Sequence, residues 1–113
     1  MASLGELERS VMTLLWDSGH RLSANEVCDQ LEEDLAVTTV LTVLSRLEKK
    51  TLVQRERTIR PHRYSATASR EEHTVEMLNE VLGTASDREA VLARFIGGVS
   101  ESEAASLRKI LST

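Results

Sequence analysis

Four serines in this chain mark candidate helix starts, each with a glutamate three positions on: Ser23 with Glu26, Ser69 with Glu72, Ser86 with Glu89, and Ser100 with Glu103. In such a pair the hydroxyl accepts from the N–H three residues on, and the carboxylate accepts from the serine's own N–H, so two donors orphaned at a helix start are satisfied together. The pattern therefore predicts four helix starts. A helix ahead of them is marked by Leu7, Val11, Leu14 and Leu15 at near-helical spacing, with Gly19 expected as its C-terminal cap. The second helix is expected from Ala24 to about Glu33, packing Val27 and Leu31. After Ser69 come three short helices, one carrying Val75, Leu78, Val81 and Leu82, the next Val91, Leu92, Phe95 and Ile96, the last Leu107, Ile110 and Leu111. Gly83 and the pair Gly97, Gly98 punctuate them.

Between the predicted starts at Ser23 and Ser69 lies "TTVLTVLSRLEKK", residues 38–50, rich in residues that favour strands. Read with a period of two, both faces are mixed. Read at about 100° per residue, Val37, Val40, Leu41, Val43, Leu44 and Leu47 gather on one side, and Thr39, Thr42, Arg46 and Lys49 form an arc opposite. A third helix is expected, because burying that stripe outweighs a β-branched penalty of at most a few tenths of a kcal/mol per residue. Glu48 falls on the apolar side, tolerable near the helix end where its stem packs and its carboxylate escapes. Beyond Thr51 the period becomes two: "LVQRERT" and "HRYSATA" flank "IRP", where Pro61 suits a turn or an edge position, and together they predict a β-hairpin.

A chain of 113 residues can bury one core, and with Trp16, Tyr64 and Phe95 its only aromatics that core is built from aliphatic side chains. Cys28, the single cysteine, excludes an intrachain disulfide and a thiolate-based structural zinc site within one chain. No apolar run approaches the roughly 20 residues of a membrane span, and the acidic, polar start "MASLGELERS" is unlike a signal peptide, so a cytoplasmic location without membrane insertion is expected. The charge is unevenly placed. Seven cations lie between Arg46 and Arg63 against Glu48 and Glu56, a local +5 in a chain of net charge −4, which leaves −9 on the remainder. A basic stripe on an acidic body is the electrostatic footprint of a DNA binder.

Three helices and then a hairpin, with the polar and basic arc on the third helix, is the element order of a winged helix-turn-helix. The expected fold is thus mainly α with a small β-hairpin: a winged helix DNA-binding domain over residues 1–68, followed by a C-terminal helical dimerisation segment over 69–113. The third helix is the expected reader, since a major groove about 12 Å wide admits one helix. Thr38, Thr39 and Thr42 offer hydroxyls to base edges or phosphate and methyls to thymine, and Arg46 offers a fork to guanine or phosphate. Lys49 and Lys50, near the helix end, suit the backbone, and Arg57, Arg60 and Arg63 would set the wing against phosphates or the minor groove. A winged helix serving protein contacts alone is the competing reading. Catalysis finds no support: His20, His62 and His73 are isolated, and no phosphate loop, HExxH or nucleophile elbow is present. No cofactor and no metal are expected.

The last 45 residues are too short for an independent core, so they must pack on something; a second copy is the simplest answer, and packing back on the chain's own N-terminal half is the alternative. Val75, Leu78, Leu82, Leu92, Phe95, Ile96, Leu107 and Leu111 are the expected interface residues.

"SANEV" in the second helix, the third-helix pattern Thr39, Val40, Thr42, Leu44, Arg46, Leu47, Lys49, Lys50, the wing residues Arg60 and Tyr64, and "SLRKIL" near the end resemble the BlaI/MecI penicillinase-repressor family. The likeness runs from about Leu7 to Leu111. It implies a homodimeric transcriptional repressor on a palindromic operator, of the kind that controls antibiotic resistance genes. It also implies derepression when a protease linked to a β-lactam sensor cuts the C-terminal helices at an Asn-Phe bond. The position matching that bond is Arg94-Phe95, with the aromatic kept and the asparagine replaced. Thr51 and Ile59 stand where members often carry glycine, at the end of the third helix and at the wing tip. The paired Cys-x-Cys motifs of copper-responsive relatives are missing.

Overall fold

A computed structural model describes residues 4–112; the first three residues of the acidic N-terminal stretch lie outside it. The elements run α1 (Glu6–Asp17), β1 (Leu22–Ser23), α2 (Ala24–Gln30), α3 (Val37–Lys49), β2 (Val53–Glu56), β3 (Arg63–Ala66), α4 (Arg70–Gly83), α5 (Arg88–Gly97) and α6 (Glu101–Leu111). The chain divides into two compact units between Thr74 and Val75.

In the first unit the apolar stripes converge. Val11, Met12 and Leu15 of α1, Val27 of α2, and Val40, Val43, Leu44 and Leu47 of α3 are buried together with Leu22, Val53 and Tyr64 from the strands. Each fully buried aliphatic or aromatic side chain contributes about 1.5–3 kcal/mol relative to exposure, so this cluster holds the three helices and the sheet as one core. Leu41 departs from expectation: it belongs to the apolar arc of α3, yet it is 40 % exposed. The buried face is narrower than the wheel suggested, and Leu41 lies on its margin beside the wing residues Arg55, Arg60 and His62.

The hairpin is present, and β3 is its inner strand. Val53 pairs with Ala66, and Glu56 with Arg63, in antiparallel register. A third strand was not anticipated: Leu22 pairs with Tyr64 and Ser23 with Arg63, giving the order β1-β3-β2. Two residues show no periodicity, and Ser23 does double duty as the last strand residue and the N-cap of α2. Its hydroxyl accepts from Glu26 N–H at 3.2 Å, and its own N–H donates to the Glu26 carboxylate at 2.9 Å.

The other predicted starts divide. Ser69 with Glu72, and Ser100 with Glu103, close their boxes at 3.0–3.1 Å and 2.9–3.2 Å. Ser86 does not cap α5. Asp87 takes that place, its carboxylate accepting from Ala90 N–H at 3.1 Å. A charged carboxylate also complements the positive end of the helix dipole, which favours it over the neighbouring hydroxyl. Gly19 is not the cap of α1; Ser18 is, in an extended conformation with its N–H donating to Leu14 O at 3.0 Å. The second helix stops at Gln30 rather than near Glu33, and Leu31 is half-buried.

At the end of α3, Thr51 adopts φ 62°, the left-handed region that a β-branched residue rarely enters. This reversal lets Leu52 N–H reach Leu47 O at 3.0 Å and turns the chain into β2. The first turn of α4 closes the unit. Trp16 donates through Nε1 to Ala68 O at 3.0 Å, its ring lies 5.3 Å from that of His73, and Arg70 both stacks on it at 5.5 Å and pairs with Asp17 at 2.8 Å.

In the second unit none of the described residues of α5 or α6 is buried, and α4 buries none along its length. Leu82 and Leu107 are half-buried, whereas Val75, Leu78, Phe95, Ile96 and Leu111 are 46–81 % exposed.

Candidate nucleic-acid interface

The amphipathic logic of α3 decides what its outer side presents. With Val40, Val43, Leu44 and Leu47 fixed in the core, Thr38, Thr39, Thr42, Ser45, Arg46 and Lys49 are all exposed. The Thr42 hydroxyl donates to Thr38 O at 3.0 Å, so in this conformation Thr42 can meet a base as an acceptor or through its methyl group. A shallow groove beside it is lined by Thr39, Thr42, Val43 and Arg46 of α3 and by Gly5 to Glu8 at the start of α1.

The seven cations of the basic stripe are not equivalent. Lys50 pairs with Glu8 at 2.7 Å, and both side chains are mostly covered. Arg55 and Arg57 both pair with Glu48, at 2.9 and 2.7 Å. Arg63 pairs with Glu26 at 2.8 Å and also donates to Arg21 O. Among the described residues Arg46, Lys49 and Arg60 form no ion pair within 4.0 Å, although the Arg46 charge is felt at Glu8. The sequence listed charges; it could not reveal which were already engaged by the acidic body.

Several carboxylates here titrate below the ordinary glutamate range. Glu8 is lowered first by the Lys50 hydrogen bond and then by the Gly5 N–H, against the opposing effect of burial. Glu26 is lowered chiefly by the Ser23 N–H, and Glu56 chiefly by the Thr58 hydroxyl and N–H. Glu56 also accepts from Arg21 at 3.0 Å, so one carboxylate both shapes the wing turn and ties it to the segment before β1. Sequence reading missed Glu8, Glu48 and Glu56 as organisers of the basic surface, since their partners lie 7 to 42 residues away.

The tip between β2 and β3 carries Ile59, 45 % exposed, and the exposed Arg60. Among the described residues no group of three His, Cys, Asp or Glu side chains could hold a metal ion, and no helix is long and apolar enough to cross a membrane.

The penicillinase repressor family matches residues 4–113. A transcriptional regulator BlaI of Mycobacterium tuberculosis, in strains CDC 1551 and H37Rv, is 39 % identical over 117 residues, spanning 99 % of this chain and 85 % of that protein. Among solved structures, a MarR family protein from Bacillus stearothermophilus aligns over 98 % of this chain and 72 % of its own, with a TM-score of 0.53 and 21 % identity. Streptococcus pneumoniae FabT, solved in complex with DNA, aligns over 97 % of this chain and 72 % of its own, with a TM-score of 0.52 and 20 % identity. At such identities these structures speak for the fold, a winged helix followed by C-terminal helices, while the sequence matches over almost the whole chain decide the lineage. The chain belongs to the penicillinase repressor family.

Proposed function

We propose that the chain is a cytoplasmic transcriptional repressor that binds a palindromic operator as a homodimer, with α3 as the reading helix and the β2-β3 hairpin as the wing. The observation that carries this reading is the shared outward surface of Thr38, Thr39, Thr42, Arg46 and Lys49 on a helix whose opposite side is core. Arg46 and the threonines are assigned to base edges, Lys49 and Arg60 to phosphates. Arg57 and Arg63 reach phosphate only by leaving Glu48 and Glu26, and Lys50 acts mainly by holding Glu8. Exposed apolar residues on α4, α5 and α6 support a second copy as their cover, with Val75, Leu78, Leu82, Leu92, Phe95, Ile96, Leu107 and Leu111 at the interface. The division assigned is residues 1–68 for DNA and 69–113 for dimerisation. Family likeness suggests genes of the β-lactam-resistance type, and release of repression by a sensor-linked protease cutting at Arg94-Phe95, which lies in the exposed helix α5.

The test is binding to duplexes selected from a random pool, followed by fluorescence anisotropy across a salt series. If only Lys49 and Arg60 neutralise phosphates, the log-log slope is about −2 per protomer; if all seven cations do, it is about −6. Arg46→Ala and Thr42→Ala are expected to lower the preference for the selected duplex over a random one, whereas Lys49→Ala weakens both alike. A winged helix serving protein contacts alone would give no salt-dependent duplex binding.

A further inference from the structure

Glu48 sits on the inner side of the last turn of α3, where an apolar residue would pack, and its two oxygens face the root of the wing. Oε1 accepts from Arg55 Nη2 at 2.9 Å and Oε2 from Arg57 Nη2 at 2.7 Å. Arg55 is mostly covered, with its guanidinium 5.2 Å from the ring centroid of the buried Tyr64 on β3. One carboxylate therefore links α3 to β2 and, through Arg55 and Tyr64, to β3.

We propose that Glu48 is a positioning residue for DNA recognition: by clamping Arg55 and Arg57 it sets the angle of the wing to α3 and keeps both guanidiniums from seizing phosphates out of register. The inference rests on the DNA-binding reading above. A negative charge near a groove repels phosphate, so its presence there weakens non-specific attraction. The geometry offers a return for that cost, since a fixed wing lets Arg60 and the exposed face of α3 engage one duplex site together, whereas a loose wing binds wherever phosphates are.

The experiment compares the full-length chain with Glu48→Gln and Glu48→Ala on a selected operator and on random duplex, across a salt series, with thermal unfolding followed in parallel. Expected are unchanged or tighter binding to random duplex, a preference for the operator lowered by about tenfold, and a random-duplex salt slope steeper by up to about 0.9 for each arginine released. Arg57→Gln breaks one arm while leaving Arg55 on Glu48, and is expected to lower the preference without steepening the slope. That variant keeps the test decisive if removal of Glu48 unfolds the chain. Equal tightening on both duplexes with an unchanged slope would overturn the positioning role and reduce Glu48 to a nearby charge. Failure of the unaltered chain to bind any duplex would instead overturn the DNA-binding reading, and this inference with it.

Discussion

Thr51 shows what a single residue can cost. Its φ of 62° places a β-branched side chain where the Cβ crowds the backbone, a penalty of about 1–2 kcal/mol. Thr51 O accepts from the Thr67 hydroxyl at 2.8 Å, so the turn is held from outside rather than relaxed. Thr51→Gly removes the crowding but frees the unfolded chain, an opposing effect of about 0.5–1 kcal/mol. The net expectation is a gain of about 1 kcal/mol, read by urea denaturation; a loss of stability would mean that the turn does not need the left-handed conformation. The sequence marked this position only through the family's preference for glycine there. Leu41 was misjudged for a related reason: a helical wheel gives an angle, whereas burial depends on how far neighbouring elements reach around the helix.

Among elements, helix starts were the most legible part of the chain. Ser23, Ser69 and Ser100 cap as their spacing predicts, because the box is local and closes within four residues. Ser86 failed because Asp87 competes for the same turn, and β1 was invisible because pairing with β3 is a tertiary event. Helix α3 was legible from its period, the ion pairs of Glu48 with Arg55 and Arg57 were not. The boxes carry a pH signature. Glu26, Glu72 and Glu103 are lowered mainly by the serine N–H groups they accept from, and Glu8 by Lys50. A depressed carboxylate adds stability that is complete above the usual value near 4.5 and is lost as pH falls through the lower folded-state value. Stability is therefore expected to drop on acidification below about pH 4.5, and Glu8→Gln to flatten the drop, measured as melting temperature against pH. A parallel profile for the variant would remove Glu8 from the account.

For the whole molecule the acidic body does more than balance charge. Glu8, Glu26 and Glu48 engage four of the seven cations, narrowing the outward positive surface to α3 and the wing tip. Composition shows the stripe, but only the folded arrangement shows how much of it remains to meet a duplex. The C-terminal unit raises a second question at this scale, because it exposes apolar side chains on three helices. With both Leu78 and Phe95 replaced by glutamate, the chain is expected to sediment as a monomer and to lose at least tenfold in operator affinity, since one half-site no longer aids the other. A sedimenting dimer with both charges present would place the interface elsewhere.

Trp16 is the sole indole in the chain, and one side of it is covered by His73 and Arg70 from the first turn of α4. Its emission wavelength consequently reports, without any label, whether that turn stays docked when a duplex is added or the C-terminal helices are cut.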